Sequence, residues 1–244
     1  MTGQRLNVLS ARSQPLNGLI TLKVGSTFVR NLFYTLDHGQ PFSNVEKAFP
    51  TDLHARNLTR EELAEDVSFF VVRDPVERLF SLYFDKVVGL PENRFRFVTK
   101  VLTKNRVFHD GPALTIAQHR ENILSLIGYI NVRIKGIADG PVNPHWNKQY
   151  ARVAPAIKFG LKAVMLDRLE PQLLQIADNR IAGLEAAFGM VASRNRSRHI
   201  VPISEVMTPE IYEKISSTYA EDIQLYDLVK TGWEVLGHPP EINL

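Results

Sequence analysis

Apolar positions along the chain fall into short unbroken runs and runs that recur at helical spacing. Residues 18–24 (GLITLKV) read as a buried strand, after which Phe28, Leu32 and Phe33 repeat as on one helix face. Gly25-Ser26-Thr27 separates the two, so the segment predicts strand, tight turn and helix, closed by His38-Gly39-Gln40-Pro41. Residues 40–58 show no period and read as irregular. Thr59 followed by Glu62 has the form of a capping box, opening a short helix to about Asp66.

The next signal is sharper. Val67–Val72 (VSFFVV) predicts a strand that Arg73 ends. Asp74 is a helix cap, Pro75 suits the first helical position, and Glu77 is placed to close a capping box. Apolar Val76, Leu79, Phe80, Tyr83, Phe84 and Val87 carry that helix to about Val88. Further helices are expected near 96–104 and 114–127, and 131–150 reads as irregular. A short strand is expected at Ala163–Leu166, then a helix from Pro171 to about Ile176, with a helical extension over Ile181–Phe188. Residues 189–204 are polar and irregular. Thr208-Pro209 opens a helix that either reaches Ile223 or breaks near Ser216-Ser217, and the tail from Gly237 is loop. Two strand–turn–helix units argue for an α/β fold of three layers, with a central mainly parallel sheet covered by helices.

Composition narrows the chemistry. The 244 residues contain no cysteine, which removes disulfides, a thiolate nucleophile and Cys-ligated zinc. With 29 Lys+Arg against 26 Asp+Glu the formal charge is only +3, too mild for duplex DNA binding by charge alone but compatible with a local anion pocket. The N-terminal segment lacks the apolar core of a signal peptide, and no run approaches a membrane span. A cytoplasmic protein is the expectation.

A turn between a strand and a helix N-terminus exposes backbone N–H groups and is an anion site by construction. Here it carries Lys23, Val24, Gly25, Ser26 and Thr27, with Arg30 one turn into the helix. It is neither a Walker A loop nor a dinucleotide fingerprint. A simple capped helix start explains it equally well. Arg73 stands at the C-terminal end of a strand, where open α/β sheets bind ligands, and Ser81 lies two turns into the following helix. Together they suit a second phosphate. The alternative makes Arg73 a salt-bridge partner of Asp74 or Glu77, and Ser81 a packing residue.

Through these two segments the chain resembles the carbohydrate sulfotransferases that use 3′-phosphoadenosine 5′-phosphosulfate (PAPS). The likeness is to the family-2 type, which includes Golgi chondroitin, HNK-1 and heparan 2-O enzymes and bacterial relatives. Lys23-Val24-Gly25-Ser26-Thr27 matches that family's 5′-phosphosulfate loop. The run from Phe70 to Tyr83 matches its F-V-R-x-P-x-x-R-L-x-S-x-Y motif for the 3′-phosphate. The resemblance implies a P-loop-like fold, PAPS as donor, 3′-phosphoadenosine 5′-phosphate (PAP) as product, and a carbohydrate or glycoconjugate acceptor. It implies that Lys23 contacts the phosphosulfate, that Ser26 and Thr27 hold the 5′-phosphate, and that Arg73 and Ser81 hold the 3′-phosphate. Asn195, Arg196 and Arg198 match a later loop near the cofactor. Asp85-Lys86 resembles a frequent family ending of the motif helix, and Pro144 to Tyr150 is like the family's H-W-x-x-Q segment. The match spans about residues 18–228, strongest over 18–88, within one domain of 1–244. Leu22 stands where the family usually has proline. The family's cysteines near the His-Trp pair, its membrane anchor and its stem are absent, pointing to a bacterial-style enzyme.

In-line sulfuryl transfer needs a base that titrates near the working pH, and fixed cations where charge develops. Lys23 and Arg30 suit the second need. His54, between the two motifs, is the favoured base, and His38 the second choice, although a histidine there also suits a helix C-terminus. Candidate acceptor residues are His145, Trp146, Lys86, Arg94 and Arg96. The His145-Trp146 pair also reads as a packed core corner, and the basic segment as an ordinary solvated face. Histidine spacings give no metal site, and none is expected. Rival readings are a nucleotide-dependent phosphotransferase, a PAP- or PAPS-binding homologue without turnover, and a basic RNA-binding module. The first lacks a Walker A lysine, and the last lacks interleaved aromatic and basic residues.

Overall fold

The computed structural model describes residues 4–42, 55–90, 92, 94–104, 108–111, 113–137, 142–191 and 201–242. They divide into two compact units, each built from separated stretches of chain.

The first unit draws on 1–73, 149–196 and 225–244. It holds a five-stranded sheet of β1 (Leu6–Ser10), β2 (Leu16–Leu19), β3 (Ala55–Leu58), β4 (Val67–Val72) and β5 (Lys162–Met165). The spatial order is β3-β1-β2-β4-β5. β2, β4 and β5 are parallel, while β1 is antiparallel to both β2 and β3. The sheet is thus mixed, with the parallel part running from the central β2 to the edge strand β5.

β4 shows why the layers form. Its six residues are all buried, and their branched and aromatic side chains suit a strand covered on both faces. Val67, Phe69 and Val71 pack with Leu32 and Phe33 of α1 (Ser26–His38), Leu173 of α7 (Leu169–Ala177) and Phe188 of α8 (Leu184–Val191). Phe70 and Val72 point the other way, into a cluster with Leu63 of α2 (Arg60–Glu65), Val153 and Ile157 of α6 (Gln149–Lys158), and Leu225 and Val229 of α11 (Ala220–Thr231). Period-two alternation along one strand therefore feeds two helical layers. The three-layer α/β architecture is as expected.

The second unit draws on 74–148 and 197–224. It contains α3 (Pro75–Leu82), α4 (Arg96–Lys104), α5 (Ile116–Ile134), α9 (Ile203–Val206) and α10 (Pro209–Thr218). Its core joins Phe80, Tyr83, Phe84, Leu126, Ile130, Trp146, Ile211 and Ile215. After Leu82 the helix widens into a π-helical turn, Tyr83–Val87.

Several elements depart from the sequence reading. β1 and β3 occupy segments with no expected strand, and α6 lies where irregular chain was expected to end. β2 covers Leu16–Leu19, so most of the expected 18–24 strand is loop. α5 runs on to Ile134, past the expected end near 127. The break between α10 and α11 falls at Tyr219.

Candidate functional site

β2 stops at Leu19, and α1 begins at Ser26, so the lysine–glycine segment is a half-buried turn at the C-terminal end of a parallel strand. Two of its residues are left-handed, Lys23 at φ 66° and Gly25 at φ 77°. For lysine this conformation is unfavourable by about 1–2 kcal/mol and needs support from its surroundings. Left-handed residues alternating with ordinary ones turn successive N–H groups to one side, as in an anion-binding nest. Gly25 is the N-cap of α1, no side chain caps the helix, and its first turn has no acidic residue. Thirteen residues of aligned peptide dipoles end there. Val24 is fully buried and packs in the core cluster with Val29, Leu32 and Phe33.

Two polar atoms near this turn are buried without a hydrogen bond, Thr21 Oγ1 and Arg30 Nε. Burial also lowers the Arg30 pKa from its ordinary value by desolvating the guanidinium. An anion would satisfy both effects, and this donor set of backbone amides, hydroxyls, lysine and arginine fits a phosphate or phosphosulfate.

Arg73 follows β4 at the same sheet edge. Its Nη1 donates to the Lys23 carbonyl at 3.1 Å, joining the two segments that the sequence offered as separate anion sites. Its backbone is held by Gln149, whose Oε1 accepts from Arg73 N–H at 3.1 Å and whose Nε2 donates to Arg73 C=O at 2.8 Å.

The other expected residues are placed as follows. His38 ends α1, exposed, with its ring 4.1 Å from that of Tyr34. At 1.5 Å rise per residue, α1 separates it from Ser26 by roughly 18 Å. Neighbouring Asp37 accepts from the N–H groups of Arg12 and Ser13 in the β1–β2 turn, at the opposite sheet edge from Lys23. His54, Asn195, Arg196 and Arg198 lie outside the described residues. Ser81 is buried in α3 of the second unit.

Of the expected acceptor residues, Trp146 is 2% exposed, packed among Phe95, Phe97 and Tyr129, with its carbonyl accepting from the Tyr219 hydroxyl. It is a core residue there, as the packed-corner alternative had it. Arg94 donates to the carbonyls of Gly89 and Val88 and pairs with Asp110 at 2.7 Å, so its guanidinium braces a loop. Lys86 pairs with Asp85 at 3.4 Å and sits 5.8 Å from the Phe95 ring centre. His145 shares the Asn143 side-chain oxygen between its backbone N–H and Nδ1, and meets Phe95 edge to face. Arg96 is exposed on the first turn of α4.

Thr21 and Gln149 were not among the expected site residues. A polar residue inside an apolar run marked the first, and the last position of the His-Trp segment marked the second. Among the described residues no group of three His, Asp or Glu side chains is arranged to hold a metal, and no helix is long and apolar enough to cross a membrane. An open cleft of about 440 Å³ lies elsewhere, at the β1–β2 turn, lined in part by Glu62, Glu65 and Asp66. Arg12 and Arg56 line it too, and it lies at the other end of β2 from the Lys23 turn.

The model of the sulfotransferase family matches residues 13–159, more than half of the chain, and the protein belongs to that family. Neither the curated proteins nor the solved structures include a match to it.

Proposed function

We propose that the protein is a PAPS-dependent sulfotransferase acting on a hydroxyl of a carbohydrate or glycoconjugate. The observation that carries this reading is the 3.1 Å bond from Arg73 to the Lys23 carbonyl. It brings two segments of opposite ends of the motif pattern to one sheet edge, as a donor with separated phosphates requires.

When bound, PAPS supplies the sulfuryl group and departs as PAP. The chain's own residues do the rest. The amides of Gly25, Ser26 and Thr27, with the two hydroxyls, bind the 5′ side, where the α1 dipole favours negative charge. Lys23 stands ready to neutralise charge that builds on the bridging oxygen, and Arg30 adds a desolvated cation. Arg73, with Ser81 from the motif helix, is assigned to the 3′-phosphate. His54 is assigned the acceptor proton, removed as the hydroxyl oxygen bonds to sulfur. The long span of α1 leaves His38 far from the turn.

The test is sulfate transfer from labelled PAPS across a panel of glycans, lipids and small alcohols. Transfer to at least one glycan is expected, and labelling of none of them would remove the carbohydrate reading. His54→Ala is expected to lower transfer by about 100-fold or more while leaving PAP affinity within about twofold. Retained turnover would assign the proton to another group.

A further inference from the structure

We propose that Gln149 is a positioning residue that locks the end of β4 so that Arg73 clamps the Lys23 turn. The linkage is read from geometry, and its consequence for PAP binding rests on the function proposed above. Gln149 opens α6 on the buried stripe that continues through Val153, Ala156 and Ile157 toward the sheet. At 1% exposure it has no route to a large ligand surface. Its amide makes the two bonds to Arg73 that a neighbouring strand would make, one accepted and one donated. They continue the line of β4, whose pairing with β5 runs to Val72↔Met165 and with β2 to Leu19↔Phe70. With the Arg73 backbone held, its guanidinium reaches the Lys23 carbonyl at 3.1 Å. That bond anchors a left-handed lysine, and through it the start of α1. The chain of contacts thus runs from α6 to the end of β4 to the anion turn, without Gln149 touching a ligand.

The glutamine amide accepts at its oxygen and donates at its nitrogen at the same time. Gln149→Glu keeps the size and the accepting oxygen but sets a carboxylate against the Arg73 carbonyl. Gln149→Met keeps the volume and removes both bonds. Each variant of the full chain is titrated calorimetrically with PAP and with adenosine 5′-phosphosulfate, which lacks the 3′-phosphate. Both substitutions are expected to weaken PAP by roughly tenfold or more, and to weaken the second nucleotide less. Combined with Arg73→Ala, either is expected to add less than about threefold beyond Arg73→Ala alone, since residues in one chain of contacts are not additive. A purely structural glutamine would lower the melting temperature, leave PAP affinity of the folded protein unchanged and multiply independently with Arg73→Ala; that result overturns the proposal. If the Met variant does not fold, the Glu variant carries the test. Amide hydrogen exchange over residues 22–27 separates the two hypotheses. If the wild-type protein ignores PAP, the donor reading fails. The linkage still stands if Gln149→Glu speeds exchange there about tenfold, and falls if exchange is unchanged.

Discussion

Lys23 and Gly25 set the character of the turn between β2 and α1. A lysine at φ 66° is held against its own preference, and the Arg73 bond to its carbonyl is part of what holds it. Gly25 takes the same left-handed conformation without that cost. Its backbone is left-handed, and an added methyl would come within 2.5 Å of Leu166 Cδ1. Gly25→Ala is therefore expected to destabilise the fold by about 1–3 kcal/mol through strain and overpacking, read as a lower urea midpoint. PAP affinity should fall as well, because the amides that begin α1 are displaced. Arg30 makes the complementary point: its desolvated guanidinium carries a donor with no hydrogen-bond partner, a cost that a bound anion would offset.

Among the elements, α3 shows how much one cap contributes. The Asp74 carboxylate accepts from the N–H groups of Val76 and Glu77, with Pro75 at the first helical position. Asp74→Ala is expected to cost about 1 kcal/mol, or roughly 2–4 °C in melting temperature, measured by thermal denaturation. α5 carries a pH-sensitive contact. His119 Nδ1 lies 2.8 Å from the Tyr83 hydroxyl, and burial lowers the histidine pKa from 6.5. The unfolded chain then binds the proton more readily, so stability is lost as pH falls from about 6.5 toward the lower folded value. Melting curves between neutral and mildly acid pH should show this loss, reduced in His119→Gln. The elements legible in the sequence were those with local signals. β4 is an unbroken branched and aromatic run, and α2 has its reciprocal Thr59–Glu62 box in place. β3 was not legible because Ala55, Arg56 and Asn57 are exposed, so its strand character comes from pairing with β1. β2 was shifted because Leu22 and Val24 look like strand residues, yet one lies in the turn and the other fills the core beneath it. α6 was hidden by its polar first contact, Gln149, whose partner Arg73 is distant in sequence.

At the scale of the whole molecule, the first unit alone brings Lys23, the start of α1 and Arg73 together. Both anion motifs were legible as strand–turn–helix junctions. Their mutual contact was not, because it depends on strand order: β2 and β4 are neighbours in the sheet although about 45 residues separate them in the chain. The acceptor side was least legible, since Trp146 and Arg94 have residue types that serve a core or a loop brace as readily as a ligand. In the proposed function, the turn and Arg73 form one site for a nucleotide phosphorylated at both 3′ and 5′ positions. Thermal shift with PAP against ATP tests it most directly. At a concentration of 100 times the dissociation constant, binding contributes about 2.7 kcal/mol, a rise of several degrees. That rise is expected with PAP, little with ATP, and none with PAP in Arg73→Ala; equal stabilisation by both nucleotides, or by neither, would overturn the shared site.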